Sequence, residues 1–261
     1  MTRLDEVRKF LEYDGARGVI IEPAYRRGHV IERLFDVMND YNPGVIVKAG
    51  LGSGEILLAL ARRGSGYIVV VEPSLELARR FLEAHKGEPA MDRVHFIIGD
   101  FHDFPVDYYK ADLLLCADCM NIFDSSRCVD EFRRALQFDG ILFLAGVVLD
   151  NADVDGAYDD FIHSLFPLHN DYYLEDDLKT MMDLNEFRFL KGTVIDFPMD
   201  MGAFTSYFKE LYPEVSVERA RGIAVELSPV LSELYGFQGD SFREKYFLGC
   251  FMRNKPEPEK R

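Results

Sequence analysis

A glycine turn between a predicted strand and a predicted helix constrains this chain more than any other stretch. Residues 45–61 have the sequence VIVKAGLGSGEILLALA. The β-branched start predicts a buried strand, and the apolar spacing from Glu55 onward predicts a helix. Gly50, Gly52 and Gly54 fall at the bend, where residues without a Cβ let the backbone come close to a ligand. Because the free N–H groups of the helix start would face that ligand, the segment predicts a nucleotide-like binding site.

The spacing of the glycines separates two classes of cofactor. Dinucleotide-binding turns follow the pattern G-x-G-x-x-G, or end it with alanine. Here the third glycine, Gly54, comes one residue early and is followed by Glu55. A carboxylate at that position would repel a pyrophosphate lying against the helix start. The spacing therefore favours a cofactor without a pyrophosphate, and a dinucleotide oxidoreductase stays as a disfavoured alternative.

Length and charge exclude several classes of protein. A chain of 261 residues can bury one sizeable core with an added cap. Its net charge of −15 argues against nucleic acid as a main partner, since phosphate binding draws on clustered Lys and Arg. Because the sequence has neither an apolar run of membrane-spanning length nor a signal-peptide pattern, we expect a soluble, cytoplasmic protein without a membrane partner. The oligomeric state stays open, with a homodimer as one option, and abundant Glu and Arg without any Trp suggest a thermophilic source.

The four cysteines do not suggest a disulfide framework in a chain of this length. Two of them, Cys116 and Cys119, form a C-x-x-C pair. Such a pair can serve in redox chemistry or zinc binding, but Cys116 ends a strand-like run and no second pair follows in the sequence. We therefore expect buried thiols.

Beyond the glycine turn, strand and helix patterns alternate, which is typical of parallel strands joined by crossovers. The Val/Ile/Leu runs are nearly continuous, which predicts that both faces of the sheet are covered. Predicted strands cover residues 45–49, 67–71, 94–98, 111–117, 141–148, 187–197 and 245–253. Predicted helices between them cover residues 55–63, 75–84, 129–136 and 175–182. The sequence thus predicts a doubly wound α/β fold.

Three stretches fall outside this alternation. Apolar spacing predicts helices over residues 2–13 and 29–40, and in the loop or short strand between them Tyr25, Arg26 and Arg27 are expected to pack at the surface. The acidic and aromatic residues 150–173 predict a loop with a helical turn, and aromatic helices follow before the last strand. We expect an N-terminal helical cap (1–42), a cofactor-binding core (43–200 and 243–254) and a helical insertion or lid (201–242).

Acidic residues follow the carboxyl ends of the second and third predicted strands, beside the glycine turn. In open α/β sheets these strand ends bind ligands. Glu72 is placed to accept hydrogen bonds from two ribose hydroxyls, and Asp100 from an adenine amine. Phe101 is available to stack on the base. Together with the glycine turn, these residues predict a nucleoside-binding site.

With these residues in view, the chain resembles the class I S-adenosylmethionine-dependent methyltransferases over roughly Val45 to Val148. The matching pieces are VKAGLGSG, VVVEPS, IIGDF and ADLLLCADCMNIF. The resemblance implies S-adenosylmethionine as the cofactor. It also implies a seven-stranded, mostly parallel sheet whose last strand is antiparallel and inserted between strands five and six, with the helical insertion between strands six and seven.

The resemblance also implies roles for individual residues. Glu72 would bind the ribose, Asp100 the adenine, and the backbone from Ala49 to Gly52 would lie under the methionine part of the cofactor. The full set of predicted cofactor-binding residues is Lys48, Ala49, Gly50, Gly52, Gly54, Glu72, Pro73, Asp100, Phe101 and Asp118.

Lys48 departs from the family pattern. The family usually has Asp or Glu two residues before the first glycine, where the carboxylate helps to hold the amino end of the cofactor. Lysine at this position could instead contact a carboxylate, or it could mark a site whose affinity for the cofactor is changed or lost.

Candidate catalytic residues follow the fourth predicted strand, where the family places groups that contact the methyl acceptor. Methyl transfer depends mainly on alignment, and a general base is needed only when the acceptor carries a proton. Asp118 is the first candidate, with Asn121 as an orienting amide and His102 as a third candidate. A helix cap is an equally good interpretation of Asp118, and surface or packing roles are favoured for the histidines, His163 and His169 included.

A metal-dependent site is an alternative interpretation of Asp118. Asp118 with Asp150 and Asn151 is similar to the metal ligands of catechol-type O-methyltransferases, whose magnesium ion binds paired hydroxyls. Because Asp150 lies about four residues too far along the chain, a solvated acidic loop is favoured and we predict no metal.

The leading hypothesis is a methyltransferase that acts on a small molecule. Lys48 favours the alternative of a non-catalytic module that keeps the fold as a ligand sensor or a partner subunit. The acceptor itself is not predicted.

Overall fold

Strands form where aliphatic and aromatic residues run without interruption. The structure is a computed structural model that describes residues 2–64, 66–213 and 215–255. Its strands are β1 (Val45–Ala49), β2 (Tyr67–Glu72), β3 (Val94–Ile98), β4 (Ala111–Ala117), β5 (Leu136–Val147), β6 (Phe187–Asp200) and β7 (Ser241–Arg253).

Helices connect these strands and extend the chain at its N-terminal end. They are α1 (Arg3–Gly15), α2 (Ala24–Tyr41), α3 (Glu55–Arg63), α4 (Leu75–Ala84), α5 (Ser125–Ala135), α6 (Ala157–Leu165), α7 (Glu175–Leu184), α8 (Met201–Leu211), α9 (Val217–Glu226) and α10 (Ser228–Tyr235), with a short 3-10 helix at Pro89–Arg93. None of the helices in the described ranges is long and apolar enough to cross a membrane.

The seven strands form one sheet in the order β3-β2-β1-β4-β5-β7-β6. β1 to β5 pair in parallel, whereas β7 is antiparallel to both of its neighbours, β5 and β6. The predicted sheet, with its last strand inserted between strands five and six, is confirmed. The strand order reverses at β1, which places the glycine turn at the point where open α/β sheets bind ligands.

Several element bounds differ from the prediction for local reasons. β5 begins at Leu136 instead of residue 141, because Leu136 pairs with Ala111 of β4 ahead of an irregularity in the pairing, where Asp139 has a positive φ. α5 begins earlier, at Ser125, because the Asp124 side chain accepts a hydrogen bond from the Arg127 N–H and caps the helix. β6 and β7 are each longer than predicted because they continue to pair with each other beyond the edge of β5.

Buried apolar side chains form two clusters, one on each face of the sheet. Successive strand residues point to opposite faces, so Val47 joins the cluster packed under α1, α5, α6 and α8, while Ile46 joins the one packed under α2 and α3. The aromatic residues of the insertion, such as Phe204 and Phe208, belong to the first cluster. The prediction that both faces are covered is confirmed.

The N-terminal helix α1 lies over the end of β2. The Arg8 side chain donates to the carbonyl of Pro73 at 3.1 Å, and the Ser74 hydroxyl donates to Glu12 at 2.6 Å. After α1, the chain returns across the glycine turn before α2 begins. Contacts with Lys48 of β1, Asp118 after β4 and Glu244 of β7 place residues 16–26 against this edge of the sheet.

Candidate active site

The glycine turn has a backbone that favours glycine at three positions. Gly50, Gly52 and Gly54 have φ of 77°, 60° and 81°, all in the left-handed region. A Cβ on Gly54 would lie 2.5 Å from the ring of Phe81, so packing excludes a larger residue as well. Gly54 is also the N-cap of α3, which covers Glu55–Arg63 as predicted. The turn therefore presents backbone rather than side chains to the space above it.

Glu72 links the glycine turn by hydrogen bonds to the loop that follows β2. It is fully buried, and its two carboxylate oxygens accept hydrogen bonds from the Leu51 N–H at 2.7 Å and the Ser74 N–H at 2.8 Å. Burial raises the pKa of Glu72 to about 7, against the opposing effect of these two donors. Each oxygen keeps a second lone pair, so the carboxylate can still accept from a ligand hydroxyl.

Lys48 is buried above the glycine turn with a carboxylate partner. Its ammonium donates to Glu22 at 2.5 Å, to the Gly50 carbonyl at 2.6 Å and to the Leu51 carbonyl at 3.3 Å. Both members of the ion pair are 1% exposed. The second oxygen of Glu22 accepts from the Ser53 hydroxyl at 3.3 Å. The pair lies directly on the turn.

Glu22 was not among the residues predicted from the sequence. A signal for it existed, because a lysine inside a buried strand needs an anionic partner somewhere in the fold. The sequence could not say which of the 45 acidic residues supplies it, since the partner comes from 26 positions away along the chain.

Asp118 follows β4 and lies in a second buried charge cluster. Its carboxylate accepts from the Arg26 guanidinium at 2.9 Å and from the Glu22 N–H at 2.9 Å, and Arg26 also pairs with Glu244 of β7. Burial raises the pKa of Asp118 to about 6, although Arg26 acts in the opposite direction. The surface position expected for Arg26 is wrong, because the side chain is only 4% exposed. The interpretation of Asp118 as a helix cap is wrong as well, because the N-cap of α5 is Asp124.

The residues after β3 point to different neighbours. Phe101 is buried against Phe123, with 4.5 Å between ring centroids, and it lies close to Gly50. The side chain of Asp100 accepts from the His102 N–H at 3.0 Å. The ring of His102 in turn accepts from the Asp124 N–H at 2.9 Å, so it faces the start of α5. The structure thus places Phe101 at the glycine turn and joins His102 to a helix start.

Asn121 and Asp118 line the same small cavity. This cavity, of about 30 Å³, lies between the ends of β4 and β5 and is closed on the other side by Tyr172. A second cavity of about 10 Å³ adjoins it, lined by Arg26 and by Phe208 of the insertion. Spaces of this size hold no more than a water or two, so the pocket is closed in this conformation.

The oxygens considered for a metal have other partners. Asp150 pairs with Lys245 at 3.2 Å, and the Asn151 side chain accepts from the Asp176 N–H at 3.1 Å. His169, which is 3% exposed, bonds to Asp159 at 2.7 Å and packs within α6 and its following loop. All four cysteines are free and buried, which confirms the expectation of buried thiols.

The family of the core follows from its sequence. Residues 47–144 match the family model described as a methyltransferase domain. The chain carries a methyltransferase domain. The matched residues run from β1 into β5 and contain the glycine turn, Glu72, Asp100 and Asp118. The resemblance to the class I S-adenosylmethionine-dependent methyltransferases is thereby confirmed.

Solved structures share the fold of this methyltransferase domain and much of the rest of the chain. The YcgJ protein of Bacillus subtilis superposes with a TM-score of 0.74 at 17% identity, covering 88% of this chain and 100% of that protein. A putative methyltransferase of Bacillus halodurans gives 0.71 at 17% identity, covering 87% and 100%.

A third neighbour was solved with ligands. The geranyl diphosphate C-methyltransferase of Streptomyces coelicolor, in complex with Mg²⁺, geranyl diphosphate and S-adenosyl-L-homocysteine, gives a TM-score of 0.62 at 18% identity, covering 89% and 81%. No curated protein sequence is significantly similar to this chain. These likenesses describe the fold.

The methyltransferase cradle is closed by the chain's own side chains. S-adenosylmethionine is the cofactor of the family, and its methionine part would lie on the backbone from Ala49 to Gly52. Here a Cβ on Gly52 would collide with the Glu22 carboxylate, so that side chain lies on the turn itself. A Cβ on Gly50 would be 3.2 Å from the sulfur of Cys119. In this structure the Glu22 side chain therefore occupies the space beside Gly52 in which the resemblance places the methionine part of the cofactor.

Proposed function

We propose that this protein is an S-adenosylmethionine-dependent methyltransferase that acts on a small molecule. The observation that carries the proposal is the glycine turn at the switch point of the sheet, with Glu72 at the end of the neighbouring strand, inside a matched methyltransferase domain. That arrangement places a backbone turn and a carboxylate with free lone pairs beside the position expected for the adenosine part of the cofactor.

The acceptor would bind beside Asp118 and Asn121. Tyr172 lines both cavities there, and the second is also lined by two aromatic rings of the insertion and by buried charges, which suits a small acceptor with an apolar body and a polar end. Methyl transfer requires an in-line approach of the accepting atom, so the main task of these residues is orientation. Asp118 and Asn121 would supply it, and His102, at the start of α5, is the weakest of the three candidates.

Binding of the cofactor is the first test. We expect isothermal titration with S-adenosylmethionine, and with S-adenosylhomocysteine, to give a saturable heat. Glu72→Ala removes the acceptor for the ribose hydroxyls and should weaken both ligands at least tenfold, whereas Glu83→Ala, an exposed change on the next helix, should leave them unchanged. Absence of binding at millimolar cofactor would refute the proposal.

Transfer itself is the second test. Protein incubated with methyl-labelled S-adenosylmethionine and a fractionated small-molecule extract should move label into one fraction. Asp118→Asn should lower the rate of transfer more than it lowers cofactor affinity, if Asp118 orients the acceptor. Binding without transfer to any fraction would support the alternative.

That alternative is a non-catalytic module with the methyltransferase fold. It is favoured by one observation, the ion pair of Lys48 and Glu22 on the glycine turn. A module of this kind would hold its closed conformation permanently and bind a protein partner instead. A stable partner recovered together with the full-length chain, combined with no binding of cofactor, would favour it.

A further inference from the structure

Lys48 holds a carboxylate at the place where the cofactor's amino-acid end is expected. Its ammonium lies among the carbonyls of Gly50 and Leu51 and the carboxylate of Glu22. The two carbonyls belong to the glycine turn itself, so the ammonium is fixed to the part of the backbone that would carry the methionine part. Lys48 is thus part of the cradle, whereas Glu22 enters it from outside the sheet.

The segment that carries Glu22 is held by contacts that do not depend on the ion pair. Asp14 accepts hydrogen bonds from the N–H groups of residues 19, 20 and 21, and Asp118 accepts from the N–H of Glu22 itself. Glu22 has a φ of 54°, in the left-handed region that a glutamate rarely adopts. Its carboxylate is therefore aimed at Lys48 by the fold, at a cost in backbone strain.

Removing either charge alone leaves the other buried and unpaired. Both side chains are buried away from solvent, so water cannot compensate an unpaired charge. A ligand that displaces Glu22 must therefore supply another anion to pair with Lys48. An amino-acid carboxylate is such an anion, and S-adenosylmethionine and S-adenosylhomocysteine both carry one. A nucleoside thioether without an amino-acid end, such as 5′-methylthioadenosine, carries none.

We propose that Lys48 is the carboxylate-binding residue of the cofactor site, and that Glu22 occupies it as an internal substitute until the cofactor's carboxylate displaces it. This inference rests on the proposed function and adds to it a statement about which ligands the site selects. The lysine that departs from the family pattern selects ligands by their carboxylate. The glutamate of the N-terminal segment competes with them and closes the site in their absence.

The test measures the affinity of two ligands, S-adenosylhomocysteine and 5′-methylthioadenosine, by isothermal titration. In Glu22→Gln the competitor has lost its charge, so S-adenosylhomocysteine should bind at least tenfold more tightly than to the wild type. The control variant Glu6→Gln removes an exposed charge from α1 and should bind as the wild type does. Equal or weaker binding to Glu22→Gln overturns the role of Glu22.

A double variant isolates the role of Lys48. Glu22→Gln with Lys48→Met leaves no unpaired charge in the cradle, so it should fold even if the single variant does not. In this double variant, the ratio of the affinity for S-adenosylhomocysteine to that for 5′-methylthioadenosine should be at least tenfold lower than in Glu22→Gln. If Glu22→Gln does not fold, the wild type is the reference. An unchanged preference overturns the role of Lys48. If neither ligand binds to any folded variant, the proposed function itself fails, which is a different result from binding that ignores both substitutions.

Discussion

Glu72 ends β2 with its carboxylate enclosed by the glycine turn and the start of α4. The two N–H groups that it accepts from do not fully offset its burial, so its pKa is raised to about 7 from an ordinary value of 4.5. The folded protein therefore keeps a proton on Glu72 at a pH where the unfolded chain has released it. Glu72, the residue predicted to bind the ribose, therefore destabilises the folded protein when its carboxyl group ionises.

This raised pKa predicts how stability depends on pH. Between pH 4.5 and 7 the folded state binds more protons than the unfolded state, so Glu72 makes the protein less stable as the pH rises. A shift of this size corresponds to about 3 kcal/mol across that window. We expect the difference in unfolding free energy between Glu72→Gln and the wild type to grow by that amount in urea denaturation from pH 4.5 to 7.5. The curve of the exposed change Glu83→Gln should run parallel to that of the wild type, and a parallel Glu72→Gln curve would contradict the prediction.

A glycine caps helix α3 at each end, and the two capping positions differ in the space around them. Gly54 and Gly64 both have left-handed backbones, with φ of 81° and 85°. At Gly54 an added Cβ would meet the ring of Phe81 at 2.5 Å, whereas at Gly64 its nearest neighbour would be 3.9 Å away. Alanine at Gly64 would therefore introduce backbone strain alone, whereas alanine at Gly54 would introduce the same strain together with overpacking.

We expect Gly64→Ala to cost about 1 kcal/mol of unfolding free energy, which is the strain of a left-handed alanine. Gly54→Ala should cost roughly 2–4 kcal/mol, because overpacking against Phe81 adds to the same strain. Urea denaturation of both variants measures the difference. Equal losses would show that Phe81 moves aside at no cost.

Asp14 connects three elements at the C-terminal end of α1. It is 1% exposed and accepts from the backbone of residues 19–21 and from the hydroxyl of Tyr207 in α8. The neighbouring Tyr13 donates instead to the exposed Glu210. The N-terminal cap and the helical insertion therefore meet at a buried carboxylate.

Tyr207→Phe removes one donor from this buried carboxylate and should lower the unfolding free energy by roughly 1–3 kcal/mol. Tyr13→Phe, at an exposed partner, should cost less than about 1 kcal/mol. Thermal or urea unfolding compares the two directly. A larger loss for Tyr13→Phe would contradict the role given to Asp14.

On the scale of the whole molecule, the N-terminal segment closes a site that the sheet builds. Residues 16–26 cross the carboxyl ends of the strands and bring Glu22 and Arg26 into two buried charge clusters. The sheet beneath, with its strand pairing intact on both sides of β1, does not depend on that segment for its hydrogen bonds. Opening of the segment can therefore leave the core folded.

Hydrogen exchange should report this opening. Saturation with S-adenosylhomocysteine is expected to increase the exchange of backbone amides in residues 16–26, because the ligand displaces Glu22, while the amides of β4 and β5 keep their protection. Ligands usually slow exchange near their site, so an increase is a distinctive outcome. Slower exchange in residues 16–26 would show that the segment closes over the ligand instead.

Much of the fold could be predicted from the sequence because the core is specified by local patterns. Continuous aliphatic runs marked β1 to β4, and the glycines marked the strand-to-helix turn, since both signals depend on neighbours in the chain. The ends of β5, β6 and β7 were predicted less accurately, because they depend on pairing with residues far away in the sequence. Asp200 of β6, for example, pairs with Ser241 of β7.

The sequence by itself determined most of the strands, the position of the glycine turn and the acidic residues at the strand ends, because periodicity and backbone chemistry are local, while the order of the strands followed from the family resemblance. Only the tertiary structure decided what lies on that turn. The pairing of Lys48 with Glu22, and of Arg26 with Asp118 and Glu244, joins residues from four distant parts of the chain. Buried charges must find partners, but any of many acidic residues could have served, and only the packed fold chooses among them.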